Sequence, residues 1–452
     1  MSFKVDKQTI KDIELFSEKK GNPSVFSFYN QTVTKGGESL LYEIFRAPSS
    51  EIKFLENRKK EIKFFFDNDC YLKLNSRSID YIEFYLKSSR TPLRANIIDA
   101  TVNAISNKLI PNSDYYTITE GIIHISQLLV DLDIFIKEVK SYNIAGSIKN
   151  HLEEIEDYLK SKTIKKLVND PPGNAKDLNY NQINKLDNHF RQKEKESFKN
   201  LLVIVYEIDF LQSMAGLIKS KGLSLPDYEV SQKSIFKVVD SFHPLLSEPV
   251  KNSFGFKDNS NLCFLTGPNM SGKSTFLKTM GLLVYLSHIG LPVPAKEFRT
   301  SIYEGLFTTI NLTDDLNLGY SHFYAEINRI KYIASNLSKT DNLVIIFDEL
   351  FRGTNVKDAF DASFSIISTL SKIENTRFFI STHILEVAEK LGNSNSIIFK
   401  CFESEMIDQN PKYTYIIKDG ISSERVGMMI LKRENILQIL DDVIRKQKNT
   451  SL

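Results

Sequence analysis

The 452-residue sequence predicts two parts, a helical domain over residues 1–230 and an α/β domain with a mostly parallel sheet over residues 231–452. Three observations support this fold class. In the first part, apolar residues recur at spacings of three and four, as on amphipathic helices. In the second part, short apolar runs alternate with helical patterns, which favours a parallel sheet covered by helices. A glycine-rich loop also separates an apolar run over 262–265 from a helical pattern that begins at Phe276.

The composition is that of an ordinary globular protein, with 42% hydrophobic and 25% charged residues. The 58 Lys and Arg residues almost balance the 56 Asp and Glu residues, so any contact with a nucleic acid must come from local patches. The cysteines, Cys70, Cys263 and Cys401, are scattered and odd in number, which fits a reducing compartment. The N-terminus has no apolar signal core and no run of about 18 uncharged apolar residues occurs, so we expect a cytoplasmic protein without a membrane span.

Helix signals in the first part follow one another along the chain. A turn over 31–37 is expected to cap one helix, and Pro48-Ser-Ser-Glu51 to open the next. Apolar spacing over 152–159 predicts a further helix, and Asp170-Pro-Pro-Gly-Asn174 breaks the helical pattern. From Phe198, a long apolar stripe predicts a helix packed in a bundle, which could also act as a stiff lever toward the second domain.

Strand signals dominate the second part. Apolar runs predict strands over 235–239, 262–265, Leu343–Phe347, Arg377–Ser381 and 413–417. The sequence Lys418-Asp-Gly420 after the last run is typical of a hairpin turn. The tail over 434–448 is amphipathic.

Two basic stretches could contact an anionic partner. The first contains Lys160, Lys162, Lys165 and Lys166, and the second contains Arg90 and Arg94 around Thr91-Pro92. Charge runs are usually solvated faces, so the sequence alone does not assign either stretch a function.

The glycine-rich loop over 267–274 fits the pattern G-x-x-x-x-G-K-[ST]. Gly267 and Gly272 allow backbone torsions that direct successive N–H groups at a phosphate oxygen, and the following helix N-terminus favours anions. Lys273 would contact the β- and γ-phosphates of a nucleotide, and Ser274 would offer its hydroxyl to Mg²⁺. The alternative is a glycine turn before a core helix, but the strand–loop–helix order favours phosphate binding.

Two acidic residues follow the predicted strand Leu343–Phe347, at the end where open α/β sheets place ligands. Asp348 could hold the water shell of Mg²⁺, and Glu349 could take a proton from an attacking water. His383 follows another strand and could sense a γ-phosphate or polarise that water, although a lone histidine after a strand is more often structural. A capped strand end with surface acids is the alternative for the acidic pair.

A further candidate lies where Gly319 and Ser321 precede a helical pattern. The N–H and hydroxyl groups of such residues can point at a phosphate, and the same residues are typical of an ordinary helix N-cap.

Together, the motifs resemble the MutS-type ATPases, a branch of the ABC-like P-loop NTPases. The motifs that carry the resemblance are Thr266-Gly-Pro-Asn-Met-Ser-Gly-Lys-Ser-Thr275, Phe347-Asp-Glu-Leu-Phe-Arg-Gly-Thr-Asn355 and Ser381-Thr-His383. His243-Pro-Leu-Leu is similar to the family's entry into the ATPase domain, and the segment over 31–37 to the start of its helical core, or lever, domain. The resemblance covers almost the whole chain and is strongest in its second half.

The resemblance implies an ATPase that uses ATP and Mg²⁺. The residues implied to bind the nucleotide are Gly267, Pro268, Asn269, Met270, Ser271, Gly272, Lys273, Ser274, Thr275 and Ser321. Ser274 and Asp348 would hold Mg²⁺, and Glu349 and His383 would be catalytic. Ser321 matches the serine that reaches the partner's nucleotide, so two ATP molecules would lie between the subunits of a homodimer. The amphipathic C-terminal helix resembles the family's dimer-stabilising end.

The sequence also departs from the family pattern. Phe351 stands where glycine is usual, and Asn355 and Val356 stand where serine or threonine is usual, in a loop that contacts the partner subunit in the family. We expect no mismatch-recognition or connector domain, because only thirty residues precede Gln31, and a short or absent clamp. Binding to DNA structure or backbone is therefore expected rather than an aromatic mispair wedge.

These observations favour an ATP-dependent DNA-binding protein of mismatch repair or related DNA maintenance, in which hydrolysis at a dimer interface moves the lever on DNA. The alternative is a dimeric ATPase switch that acts on a protein partner, or on branched or recombination DNA rather than mismatches. A metabolic kinase is a weaker hypothesis, since no acceptor-binding motif occurs. Phe242, Val250 and Phe254 are candidates for contacts to adenine, and the sequence does not choose between them.

Overall fold

The computed structural model describes residues 3–19, 21–96, 98–101, 113–144, 146–231, 233–310, 322–340, 342–351, 355–392, 394–407, 410–422 and 435–450. Helices occupy the first 221 residues, and strands follow from Asp227. This order confirms the predicted change from helical structure to mixed strands and helices.

Helices of the first part agree with the apolar spacing of the sequence. In the described ranges they are α1 Lys7–Asp12, α2 Val25–Tyr29, α3 Lys35–Arg46, α4 Ile52–Asp67, α5 Ser76–Lys87, α6 Ser113–Val139, α7 Ser147–Leu159, α8 Lys162–Asn169, α9 Tyr180–Asn188 and α10 Lys195–Lys221. A π-helical turn, His189–Lys193, lies between α9 and α10. Thr34 caps α3 by accepting a hydrogen bond from the N–H of Gly37, which confirms the predicted capping turn. Glu51 precedes α4 but makes no side-chain capping bond.

The long helix α10 lies at the centre of the helical part. Its Asp209 is fully buried, and the carboxylate accepts hydrogen bonds from the N–H of Val33 at 3.0 Å and from the N–H and hydroxyl of Thr34 at 2.8 and 2.7 Å. This carboxylate therefore satisfies donors at the start of α3. Gly37 must be glycine here, because a Cβ would lie 2.5 Å from Oδ2 of Asp209.

Helix α10 is also long and apolar enough to cross a membrane, by length and composition only. However, 72% of its apolar segment is buried inside the protein. Such burial is what the core helix of a folded domain shows, so the helix is weak evidence for a membrane span.

Ten strands are described from Asp227 onward. They are β1 Asp227–Tyr228, β2 Phe236–Ser241, β3 Asn252–Gly255, β4 Leu262–Thr266, β5 Glu297–Thr300, β6 Gly305–Thr309, β7 Leu343–Phe347, β8 Arg377–Ser381, β9 Ile397–Ile407 and β10 Asn410–Asp419. Six form a sheet in the order β10-β9-β4-β8-β7-β6, in which only β10 runs antiparallel to its neighbour. The other four form a small sheet in the order β1-β5-β2-β3. The predicted hairpin turn at Lys418-Asp-Gly420 is wrong at its first two residues, because Lys418 and Asp419 belong to β10 and pair with Cys401 and Lys400 of β9.

Five helices accompany these strands in the described ranges: α11 Lys273–His288, α12 His322–Leu337, α13 Val356–Leu370, α14 Leu385–Leu391 and α15 Ile436–Thr450. Helix α11 is buried along almost its whole length and packs against the helical part. The hydroxyl of Tyr285 donates to the carbonyl of Phe45 at 2.6 Å, and the N–H of Ser49 donates to the carbonyl of His288 at 2.7 Å. The helix that follows the glycine-rich loop is therefore fixed to the first part of the chain.

The N-terminal segment covers the edge of the six-stranded sheet at β6. Thr9 accepts from the N–H of Thr308 at 3.0 Å, and Oδ2 of Asp12 accepts from the hydroxyl of Thr308 at 2.7 Å and the N–H of Ile310 at 2.8 Å. Burial raises the pKa of Asp12, while these hydrogen bonds act in the opposite direction. The segment thus satisfies donors that an open sheet edge would expose to other chains.

His288, at the buried end of α11, connects this helix to Tyr303, which lies between β5 and β6. Its Nδ1 lies 2.7 Å from the carbonyl of Val284, and its Nε2 accepts from the N–H of Tyr303 at 2.9 Å. Because the N–H of Tyr303 can only donate, Nδ1 carries the ring proton. Burial lowers the pKa of His288 from 6.5 to about 4.

Acid should destabilise the protein through this histidine. The unfolded imidazole keeps its ordinary pKa near 6.5, so between about pH 4 and 6.5 the unfolded chain binds one more proton than the folded chain. Stability is therefore fully present above this window and is lost as the pH falls through it, by up to roughly 3 kcal/mol. Denaturant unfolding at about pH 7.5 and about pH 5 measures the loss. The variant His288→Gln keeps an acceptor for Tyr303 and should lose less stability between these conditions; equal losses in both proteins would contradict this assignment.

Candidate functional site

The glycine-rich loop joins the buried strand β4 to α11 at the carboxyl end of the parallel strands. Gly267 and Gly272 have φ angles of 142° and 104°, which side chains with a Cβ rarely adopt. A Cβ on Gly267 would also lie 2.8 Å from the carbonyl oxygen of Phe402. The loop conformation therefore requires the two glycines that the sequence pattern contains.

Lys273 and Ser271 place polar groups inside this loop. The Nζ of Lys273 donates to the carbonyls of Gly267 at 2.8 Å and Pro268 at 3.0 Å, and its side chain is buried. The hydroxyl of Ser271 is buried without a hydrogen-bond partner among the described residues. A cationic side chain, an unsatisfied hydroxyl and the first N–H groups of a helix together suit an anionic ligand.

A pocket of about 450 Å³, the glycine-loop pocket, opens beside the loop. The loop and α11 contribute Asn269, Met270, Gly272, Lys273, Ser274 and Thr275 to its lining, and other segments contribute Phe242, Leu246, Val250, Glu349 and Tyr415. Phe242 and Val250, two of the candidates for base contacts, therefore line the pocket. Phe254 packs instead in the core, against Phe276 and Phe379. The pocket has the size and mixed lining of a small-molecule site.

The two acidic residues after β7 meet the end of β8. Ser381 donates its hydroxyl to Oδ1 of Asp348 and accepts from the N–H of Glu349 at 2.9 Å. Nε2 of His383 lies 2.6 Å from Oε1 of Glu349. The structure thus brings Asp348, Glu349 and His383 together and adds Ser381, which joins the two acidic residues. The sequence signal for Ser381 is its place at the carboxyl end of a strand next to β7.

Among the described residues, no group of three or more His, Cys, Asp or Glu side chains could hold a metal ion by itself. Mg²⁺ commonly takes only one or two carboxylates and fills its remaining positions with water and phosphate oxygens. A donor set of one carboxylate, Asp348, and one hydroxyl, Ser274, is compatible with that coordination.

Non-glycine residues with positive φ angles gather around the pocket. Met270, Glu349 and Tyr415 line it with φ angles of 66°, 54° and 56°, and Phe351 follows with 61°. Each such conformation costs on the order of 1–3 kcal/mol, and such residues concentrate at functional sites. This distribution supports a functional assignment for the pocket independently of the motifs.

Tyr415 lies at an irregularity in β10, where the register with β9 shifts between Tyr413 and Ile417. Asn252 on β3 fixes this backbone: its Nδ2 donates to the carbonyl of Tyr415 at 2.9 Å, and its Oδ1 accepts from the N–H of Ile417 at 2.8 Å. The sequence gives no signal for either residue, because Asn252 is separated from Tyr415 by 163 positions and from Ile417 by 165.

In the loop after Glu349, Phe351 and Asn355 differ from the family pattern, and the structure shows what each residue contacts. Phe351 is 3% exposed and its ring packs 5.5 Å from that of Phe323 on α12. Asn355 is the N-cap of α13 and accepts from the N–H of Asp358. Ser321, the candidate for contact with a partner's nucleotide, lies outside the described residues.

His243 connects the pocket to the N-terminal segment. Its ring lines the pocket, and its Nε2 lies 3.9 Å from Oε2 of Glu14, whose Oε1 lies 2.8 Å from Nζ of Lys278 on α11. Burial lowers the pKa of His243 to about 4, against the opposing effect of Glu14. A neutral imidazole therefore separates the pocket from the Glu14–Lys278 ion pair.

Comparison with known proteins assigns a class to this part of the chain. Residues 263–450 match the model of the family described as MutS domain V, and the glycine-loop pocket is built mainly from these residues. This segment is similar to MutS domain V.

Three relatives, each described as DNA mismatch repair protein MutS, extend the similarity toward the N-terminus. The protein of Aquifex pyrophilus is 29% identical over 57% of this chain and 30% of its own length. The proteins of Bacillus licheniformis and Oceanobacillus iheyensis are 28% and 26% identical over 70% and 64% of this chain, and over 36% and 33% of their own lengths. The chain is thus similar to these MutS proteins, and its match spans about a third of their length.

Proposed function

We propose that this chain is an ATPase of MutS type that binds ATP in the glycine-loop pocket and uses its hydrolysis to act on DNA. The single observation that carries the proposal is the composition of that pocket. Lys273 and Ser274 of the loop line it together with Glu349, which follows β7, a parallel strand of the same sheet separated from β4 by β8. In this proposal the second part of the chain, from residue 231, is the P-loop NTPase domain and residues 1–230 are the helical lever domain.

The loop would bind the phosphates. Lys273 would exchange its contacts with the loop carbonyls for phosphate oxygens, and the buried hydroxyl of Ser271 would gain a partner. Ser274 and Asp348 would hold Mg²⁺, which neutralises phosphate charge when bound. Phe242, Val250 and Tyr415 would contact the base, since they are among the large apolar side chains that line the pocket beyond the loop.

Glu349 would act as general base on the attacking water. Its carboxylate lines the pocket, and the hydrogen bond to His383 fixes one of its oxygens. Ser381 fixes the backbone of Glu349 and the carboxylate of Asp348 at the same time. These contacts preorganise a proton acceptor beside the loop, and such an acceptor contributes typically 10²–10⁴-fold to a rate.

A second copy of the chain would complete the assembly through α15. This helix exposes apolar residues that no other described element covers, namely Ile436, Leu437, Ile439, Leu440, Val443 and Ile444. An unpaired amphipathic helix is stabilised when a partner covers its apolar face. Ser321 would act across the same homodimer.

DNA is the proposed macromolecular partner because each relative compared here is described as a DNA mismatch repair protein. The contacts of α11 with Phe45 and Ser49 would carry changes at the loop into the helical part. The alternative is that the helical part binds a protein partner. The nearly balanced net charge of the chain is compatible with this alternative.

Substitutions in the pocket should separate ATP binding from hydrolysis. Lys273→Ala should abolish tight binding, because it removes a charge-assisted contact of about 1.5–3 kcal/mol together with loop ordering. Glu349→Ala should bind ATP and hydrolyse it roughly 10²–10⁴-fold more slowly. Binding of a fluorescent ATP analogue and phosphate release measure the two effects, with the exposed residues Lys296→Ala and Glu297→Ala as controls. Hydrolysis by Glu349→Ala at the parent rate would show that Glu349 is not the base.

Charges on the apolar face of α15 should disrupt the homodimer. Each buried apolar side chain contributes about 1.5–3 kcal/mol, so Leu440→Glu combined with Ile444→Glu should weaken association by about 100-fold or more. Sedimentation at several protein concentrations measures the dissociation constant. Gln438→Glu, a charge outside the apolar face, should have little effect; a dimer that survives the double substitution would place the interface elsewhere.

Nucleotide should change the affinity for DNA. Binding through phosphate contacts weakens as salt rises, so titrations of plain, mismatched and branched duplexes at two salt concentrations, with and without ATP, test the proposal. We expect salt-sensitive binding whose affinity differs between the two nucleotide states. Absence of binding to all three DNAs at low salt would refute a DNA function, and a stoichiometric protein partner that survives nuclease treatment would favour the alternative.

A further inference from the structure

The helical part contains a second, larger pocket of about 840 Å³. It lies between α8 and the face of α9 and the π-helical turn, and we call it the lysine pocket after Lys162, Lys166, Lys185 and Lys193 in its lining. The first two belong to the basic stretch noted in the sequence, and the other two come from a separate segment. Half of that basic stretch therefore lines this pocket.

The charge of the lysine pocket is not neutralised within the described part of the chain. None of its four lysines makes an ion pair with another described residue, whereas the neighbouring Lys160 pairs with Asp157 at 2.7 Å. Asp170 and Asp177 also line the pocket, and Oδ2 of Asp177 already accepts from the N–H groups of Gly173 and Asn174. Four lysines against two carboxylates leave an excess of two positive charges, which favours an anionic ligand.

The remaining lining suits an organic group as well as an anion. Leu167, Pro172, Leu178 and Leu186 provide apolar surface. Nε2 of His189 is buried without a hydrogen-bond partner among the described residues, and burial lowers the pKa of this imidazole. Apolar side chains and lysines in one lining match a ligand with an organic ring and a phosphate better than an inorganic anion.

Buried hydrogen bonds fix the orientation of α9 and the π-helical turn, which carry Lys185, His189 and Lys193. Asp187 accepts from Nε of Arg191 at 2.6 Å, from the hydroxyl of Tyr85 at 2.7 Å and from the N–H of Leu93 at 2.7 Å. In a regular α-helix a residue eight positions on is rotated by about 80°, so Lys193 would turn away from Lys185. The wider π-helical turn reduces that rotation, and both lysines line the same pocket.

We propose that the lysine pocket binds one nucleotide unit of single-stranded DNA, with the base on the apolar wall and the phosphate among the lysines. The bases of a duplex are stacked inside it, so only a single strand or an unpaired end can place a base in this pocket without a large unstacking cost. This inference rests on the proposed DNA function. It adds that the protein prefers single-stranded DNA, and that this DNA site shares no lining residue with the glycine-loop pocket proposed for ATP.

The test compares two charge reversals in the full-length chain. Lys166→Glu with Lys193→Glu alters the pocket, and Lys53→Glu with Lys60→Glu alters exposed lysines of α4 outside it. Anisotropy of a labelled oligo(dT) should show about tenfold or greater weakening for the pocket variant alone, since each charged contact is worth about that much. The dependence of affinity on salt should also fall by about 1.4 in slope, at about 0.7 for each lost phosphate contact on a single strand.

Other outcomes overturn the inference in distinguishable ways. Equal weakening in both variants would mean general electrostatic attraction, and equal weakening for duplex and single strand would remove the strand preference. Displacement of the oligonucleotide by free dTMP at the same nucleotide concentration would assign the pocket to a free nucleotide. If the parent protein binds DNA but the pocket variant binds it equally well, only this inference fails; if the parent binds no DNA, the proposed function fails with it.

Discussion

The burial of α11 is the constraint on which the rest of the structure depends. Its first residue, Lys273, closes the glycine-rich loop, and its far end is held by the hydrogen bonds of Tyr285 to Phe45 and of His288 to Ser49. A helix packed on all sides transmits displacement instead of absorbing it, because interiors are close-packed and only slightly compressible. The same helix therefore shapes the pocket and joins it to the helical part, which gives the proposed coupling between ATP and the lever a physical route.

The N-terminal segment adds a second connection. Asp12 satisfies donors at the edge of β6, and Glu14 pairs with Lys278 in the middle of α11. Glu14 adopts a positive φ of 54°, a strained conformation that its partners must maintain. Residues that come first in the sequence thus pack against the sheet, on the side of the pocket lined by His243. Apolar spacing does not indicate this, because the contact depends on single polar groups that meet only in the folded chain.

Burial explains part of the success of sequence-based prediction, although β6, which is also fully buried, was not predicted. Strands β4, β7 and β8 are buried on both faces, so they form continuous apolar runs whose bounds were predicted to within one residue. Strand β5 is four residues long with alternating exposure, and it was not predicted. The motifs indicated the glycine-rich loop and Glu349, which line the pocket, and also Asp348 and His383, which contact Ser381 and Glu349. They did not indicate the contacts of Ser381 or Asn252, which follow from strand register and from the irregularity in β10 and so require the tertiary structure.

The strained residues show how the pocket keeps its shape. Ser381 holds the backbone of Glu349, Asn252 holds that of Tyr415, and the core around Phe323 holds Phe351. A left-handed conformation costs on the order of 1–3 kcal/mol, and burying a phenylalanine returns about 1.5–3 kcal/mol, so the two effects nearly balance at Phe351. A phenylalanine in place of the family's usual glycine is therefore tolerated, and it ties the loop after Glu349 to the beginning of α12. Because α12 directly follows residues 311–321, which include Ser321, this aromatic contact would link the proposed base to the segment proposed to act on the partner's nucleotide.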